Sequence, residues 1–125
     1  MKKIISTEKA PSAIGPYSQA VVAGNLLFTS GQIAIDPKNG ELNMATLEIE
    51  TNQVMNNMAA VLEEAGVTFN NVVKTSIFLK NMDDFNEVNE IYASFFNGDF
   101  PARETVQVAK LPKDVNVEIS MIAQL

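Results

Sequence analysis

Cysteine, histidine and tryptophan are absent from the 125 residues, and arginine occurs once, at position 103. Without a thiol or an imidazole there is no cysteine nucleophile, no redox pair, no Ser–His triad and no histidine metal site. Disulfide staples are excluded, and nothing points to an oxidising compartment. Positive charge is scarce too. Nine lysines and arginines face fifteen acidic residues, for a net charge of -6 and a pI near 4.5. Nucleic-acid binders draw most of their affinity from basic patches, so such a partner is disfavoured. No apolar run approaches the roughly 20 residues of a membrane span. The opening Met1-Lys2-Lys3-Ile4-Ile5 runs directly into Ser6, Thr7, Glu8 and Lys9, so no secretory h-region forms. The chain reads as cytoplasmic, without a membrane partner.

What is present is globular. Hydrophobic residues make up 46% and charged ones 19%, enough for a core in one domain spanning 1–125. Residues 17–23 and 26–35 are strand-like and flank Gly24-Asn25, a hairpin signal. Asp36-Pro37-Lys38-Asn39-Gly40 is a turn. Val54, Met58, Val61, Leu62 and Ala65 recur at helical spacing within 47–65, and Gly66 follows as a stop. Residues 72–80 are β-branched. Asp84 and Glu87 form a capping-box pattern ahead of Phe85, Val88, Ile91, Tyr92, Phe95 and Phe96, with Gly98 ending that helix. Residues 102–109 and 115–124 are the last strands, with a further strand possible near Ile4-Ile5. In the final strand Val115, Val117, Ile119, Met121 and Ala123 share one face, and Asn116, Glu118, Ser120 and Ile122 the other. The order β-β-α-β-α-β-β predicts an α+β two-layer sandwich, a mixed sheet with both helices on one face. The uncovered sheet face suggests a homo-oligomer.

The reactive groups left are carboxylates, lysines, tyrosines and hydroxyls. Glu48, Glu50, Glu63, Glu64, Asp83, Asp84, Glu87 and Glu90 read as solvated charge. Glu118 differs, because it interrupts an apolar strand and needs a partner. Arg103, one strand earlier, has the side chain that grips a carboxylate bidentately. Two readings stand side by side: a structural Arg103–Glu118 ion pair, or an anion site at Arg103. Gly31, in Ser30-Gly31-Gln32, marks either a close approach of another group or simple packing tolerance. Tyr17 brings a phenol to the entrance of a strand. Asn89 reads as an ordinary polar residue on a helix face.

The chain resembles the Rid/YjgF family, whose best-described members deaminate reactive enamines and imines. The matching segments are Ala13-Ile14-Gly15-Pro16-Tyr17-Ser18-Gln19-Ala20, Phe28-Thr29-Ser30-Gly31-Gln32-Ile33, Val73-Lys74-Thr75 and Asp84-Phe85 through Val88-Asn89. They continue with Phe100-Pro101-Ala102-Arg103, Ala109-Lys110-Leu111-Pro112 and Val117-Glu118-Ile119, so they cover essentially the whole chain. The resemblance implies a chorismate-mutase-like fold, a homotrimer built round a central barrel, and ligand clefts between subunits. It implies that Arg103 binds a substrate carboxylate and that Glu118 holds the attacking water. Tyr17, Ser30, Gly31, Asn89 and Thr105 would line the cleft. The implied substrates are 2-imino acids such as 2-iminobutanoate and 2-iminopropanoate, released by pyridoxal-phosphate enzymes. No cofactor or metal is called for.

Two positions depart from the pattern. Thr105 stands where the archetypal deaminases often carry cysteine, which implies activity with altered rate or substrate preference. Glu104 stands where a small residue is usual, and strand alternation turns it from the Arg103 face. Two other functions remain in view: a small-molecule sensor or chaperone-like holder using the same cleft, and a translation-inhibiting endoribonuclease. The acidic, histidine-free chain is poorly equipped for the latter.

Overall fold

The computed structural model describes all residues, 1–125. The strands are β1 (Lys3–Ile5), β2 (Ala20–Ala23), β3 (Leu26–Thr29), β4 (Val72–Leu79), β5 (Ala102–Gln107) and β6 (Val117–Gln124). The helices are α1 (Leu47–Glu64) and α2 (Phe85–Ala93), with three short 3-10 turns at Phe69–Asn71, Met82–Asp84 and Pro112–Asp114. One six-stranded sheet runs β1-β2-β3-β6-β4-β5. Only β4 and β5 are parallel, and α2 makes the crossover between them. The architecture is the expected α+β two-layer arrangement.

Helix α1 forms for the reasons its spacing implies. Thr46 caps it by accepting from the Ile49 backbone N–H at 3.1 Å, and Glu48 and Glu50 lie in the first turn, where the helix dipole favours acid. Gly66 takes φ +81°, which a side chain would oppose, and the chain turns off as Val67 N donates to the Leu62 carbonyl at 3.0 Å. Val54, Met55, Met58, Val61 and Leu62 are buried against Ile77, Leu79, Val117, Ile119, Met121 and Ala123 of the sheet. Each of these helix side chains gains roughly 1.5–3 kcal/mol over staying in water. The strict alternation of β6 is borne out, with Val117, Ile119, Met121 and Ala123 buried and Glu118, Ser120 and Ile122 half-exposed on the other side.

The structure corrects several boundaries. The strand expected over 26–35 ends at Thr29. Ser30 turns away, its hydroxyl donating to the Ser18 carbonyl at 2.6 Å and its N–H to the Gln19 carbonyl at 2.9 Å. Pairing resumes only as an isolated bridge between Gln32 and Ile119. The strand expected from Tyr17 starts at Ala20. The capping box at Asp84 does not form. Asn81 caps the preceding 3-10 turn, accepting from Asp83 N at 2.9 Å, and Asp84 is already in helical conformation with no cap bond. Helix α2 stops at Ala93, five residues before Gly98. Beyond it Phe95 and Phe96 pack edge-on against Phe69, with ring centroids 5.6 and 5.4 Å away. No helix is long and apolar enough to cross a membrane.

Candidate functional site

Register decides where the two central groups lie. Arg103 on β5 aligns with Thr75 on β4, and Thr75 aligns with Met121 on β6. Thr75 and Met121 are buried beneath the helices, so Arg103 is on the helix face. Glu118 aligns with Phe78, three residues along β4 from Thr75, and so lies on the opposite face. Of the two readings of Arg103, the structural ion pair with Glu118 therefore does not exist within one chain. The ion pairs present are Lys74–Glu104 at 2.8 Å and Lys80–Asp114 at 3.0 Å.

On the helix face, α2 builds a holder for the guanidinium. Arg103 Nη1 donates to Asn89 Oδ1 at 2.8 Å. Its guanidinium carbon stands 5.1 Å from the Tyr92 ring centre and 5.6 Å from that of Phe85, within range of cation–π attraction. Phe85, Asn89 and Tyr92 follow one another at helical spacing, so one stripe of α2 does all three jobs. The Tyr92 hydroxyl bonds to Thr75 Oγ1 at 2.8 Å. Burial pushes its pKa up, against the opposing pull of Thr75 and Arg103. Arg103 opens on a cavity of about 410 Å³ shared with Asn89, Tyr92, Ala93, Phe100 and Pro101. It faces that space with no acidic partner.

On the other face, Glu118 shares a cavity of about 640 Å³ with Tyr17, Ser30, Gly31, Gln32 and Lys113. Burial pushes its carboxyl above the ordinary range. Gly31 is a close approach rather than packing tolerance. A Cβ built there would come within 2.5 Å of Glu118 Oε2 and 2.9 Å of its Cγ. Glycine lets the backbone beyond β3 press against the acid.

The candidate residues thus fall into two groups: Tyr17, Ser30, Gly31 and Glu118 in one cavity, Asn89 and Arg103 in the other. Thr105 lies on the Arg103 face, level with Ile77, and its hydroxyl is buried without a partner. It borders neither cavity. Glu104 does turn away from Arg103, as alternation requires. It bonds Lys74 and the Ser76 hydroxyl, and these contacts, Lys74 first, hold its carboxyl below the usual range. No group of three or more carboxylates is arranged to hold a metal ion.

Sequence reasoning missed two holders and one buried acid. Phe85 and Tyr92 read as core, although their spacing to Asn89 carried the signal. Glu50, read as solvated, is 0% exposed. It sits four residues before Val54, so the buried stripe of α1, extended back one turn, runs through it.

These features define an α+β sandwich with an open guanidinium on one sheet face and a desolvated carboxyl on the other. Residues 7–125 match the family described as Endoribonuclease L-PSP. The 2-iminobutanoate/2-iminopropanoate deaminase of Homo sapiens is 48% identical over 123 residues, covering 98% of this chain and 90% of that protein. A Rid family protein of unknown function from Yersinia pestis superposes with a TM-score of 0.97 at 49% identity, each chain covered in full at 100%. The TdcF protein of E. coli, solved with bound serine, gives a TM-score of 0.94 at 41% identity over 98% of both chains. The chain belongs to the Rid/YjgF family.

Proposed function

We propose that the protein hydrolyses reactive 2-imino acids, such as 2-iminobutanoate and 2-iminopropanoate, to 2-keto acids and ammonia. The observation that carries this reading is the guanidinium of Arg103, oriented by Asn89 and two aromatic rings and facing a cavity with no acid to neutralise it. Such a group suits a small carboxylate. The family relationship to a human protein named for this activity, and to a relative solved with an amino acid bound, supports the same substrate class.

Because Arg103 and Glu118 lie on opposite faces, the complete site needs a second copy of the chain to bring one group to the other. A homotrimer with clefts between subunits supplies that geometry. In the cleft, Arg103 of one subunit holds the carboxylate. Glu118 of its neighbour orients water toward the carbon of the protonated imine and takes one water proton as the C–O bond forms and the C=N π electrons pass to nitrogen. It returns that proton to the nitrogen of the carbinolamine; as the C–N bond breaks, the hydroxyl oxygen becomes the carbonyl and gives its own proton back to Glu118, leaving keto acid and ammonia. A carboxyl raised by burial is better matched to such two-way transfer near neutral pH than an ordinary glutamate. The imine carbon is already electrophilic, so this chemistry calls for no thiol, metal or cofactor.

The test is to release 2-iminobutanoate with threonine dehydratase and follow its loss by semicarbazide trapping. The protein should shorten the lifetime of the imine, Arg103→Ala should abolish the effect, and Glu118→Gln should bind carboxylate without turnover. An unchanged lifetime with wild-type protein sinks the proposal, and carboxylate binding alone would favour a sensor.

A further inference from the structure

We infer that Glu50, a buried carboxylate distant in sequence from every candidate site residue, is a positioning residue for Glu118. The inference rests on the hydrolase reading above for its kinetic consequence, and on geometry alone for its structural one.

Glu50 lies in the first turn of α1, where the helix dipole favours negative charge. It is 0% exposed, and no lysine or arginine pairs with it. Its partners come from two consecutive residues. Oε2 accepts from the backbone N–H groups of Asn116 at 2.7 Å and Val117 at 3.3 Å. Oε1 accepts from the Asn116 side-chain amide, Nδ2, at 2.7 Å. Both oxygens are therefore spent on the two residues that precede Glu118. An apolar side chain would continue the buried stripe of α1 at lower desolvation cost. What the acid supplies in its place is direction: a two-oxygen clamp on the start of β6.

That clamp falls where the chain most needs one. The approach to β6 runs through Lys113 and Asp114, both in the left-handed region at φ 54° and 57°, a conformation that non-glycine residues hold only when their surroundings enforce it. On the far side of Glu118, Ile119 exchanges two backbone hydrogen bonds with Gln32, at 2.8 and 3.1 Å. Along one edge of β6, Val117, Glu118 and Ile119 pair with Leu79, Phe78 and Ile77 of β4; along the other, Glu118 is flanked by two anchors, Glu50 at 116–117 and Gln32 at 119. Its own carboxylate makes no hydrogen bond and rests against Gly31. Its location is set through its backbone, and Glu50 is the side-chain anchor at the entry to β6.

Glu50→Met is the discriminating change. A thioether of similar length leaves the backbone N–H groups of Asn116 and Val117 without their carboxylate acceptor. Glu50→Gln is the conservative control: its oxygen still accepts from both N–H groups, and its NH₂ can donate to Oδ1 of a flipped Asn116 amide. Misplacing a reacting group by about 1 Å can cost on the order of a hundredfold. We expect kcat for 2-iminobutanoate to fall roughly tenfold to a hundredfold in Glu50→Met, with KM within about twofold of wild type. Glu50→Gln should keep most of the wild-type rate. The second readout does not depend on turnover: the ¹³C resonance of the Glu118 carboxyl, assigned by its loss in Glu118→Gln. It should shift or broaden in Glu50→Met and stay near its wild-type position in Glu50→Gln. A role confined to stability would lower the melting temperature and leave both readouts unmoved. If Glu50→Met does not fold, Asn116→Ala, which removes only the Oε1 partner, is read in the same way. A folded variant with unchanged kcat and an unchanged Glu118 resonance overturns the inference, as does a Glu50→Gln protein no better than Glu50→Met. If wild-type protein leaves the imine untouched, the hydrolase reading fails, and the resonance alone decides the role of Glu50.

Discussion

At the scale of single residues, the proposed chemistry turns on a carboxyl that has no hydrogen bond from its own chain. Glu118 is desolvated by its cavity and has no hydrogen-bond donor, so burial raises its pKa above the ordinary value of 4.5. The folded state then binds the proton more tightly than the unfolded chain does. Stability tied to this group is greatest at low pH, and falls as pH rises from the unfolded value through the raised folded one. A glutamine at the same place is neutral at every pH. The comparison is cleanest between Arg103→Ala and Arg103→Ala/Glu118→Gln, both of which lack the guanidinium that the proposed assembly would bring to Glu118. The glutamine protein should melt higher at pH 7, and its advantage should shrink below about pH 4.5. Thermal melts at pH 7 and pH 4 check this, and an advantage of equal size at both would show that burial is not what perturbs the acid.

At the scale of elements, the short 3-10 turn ahead of α2 depends on Asn81. Its side chain accepts from Asp83 N, whereas Asp84 caps nothing. Asn81→Ala should therefore cost about 1 kcal/mol of stability, and Asp84→Ala no more than about 0.5 kcal/mol, both by denaturant titration. The reverse order would restore the capping box that the sequence suggests. That misplacement illustrates what a sequence can and cannot show. Asp84 and Glu87 have the right spacing, but a turn stabilised one residue upstream had already placed Asp84 in helical conformation. Long periodic segments were legible: the stripe of α1, its stop at Gly66, and the alternation of β6, each repeated the same physical signal many times. The end of β3 was not. It depends on the Ser30 hydroxyl finding a carbonyl 12 residues away, a contact without local signature. The faces of Arg103 and Glu118 were half legible. In β6 apolar residues mark the buried side. In β5, Ala102-Arg103-Glu104-Thr105-Val106-Gln107 carries no such alternation, so its orientation emerges only from pairing with β4. Membership of each residue in the candidate site came through resemblance, and the division into two cavities only through register.

At the scale of the whole molecule, the proposed hydrolysis makes a demand of that division: if Arg103 and Glu118 act on one substrate, a single chain cannot hold it between them. Two faces of one sheet cannot enclose one small substrate. In the closed ring we propose, each site would take Arg103 from one subunit and Glu118 from the next. Arg103→Ala and Glu118→Gln then damage different halves of every site. Each variant alone should be inactive. When the two are unfolded together and refolded as a mixture, some neighbouring pairs unite an intact Arg103 with an intact Glu118. For equal amounts and random assembly into closed rings, about one site in four is whole, so about a quarter of wild-type imine hydrolysis should return. Mixing the folded variants without subunit exchange should restore none, because the intact halves stay in separate rings. A site contained within one chain could never be rebuilt this way, since every copy would carry a lesion. Recovery after joint refolding, and its absence on simple mixing, would place the chemistry between copies of the chain. A refolded mixture as inactive as its parents would confine it to one.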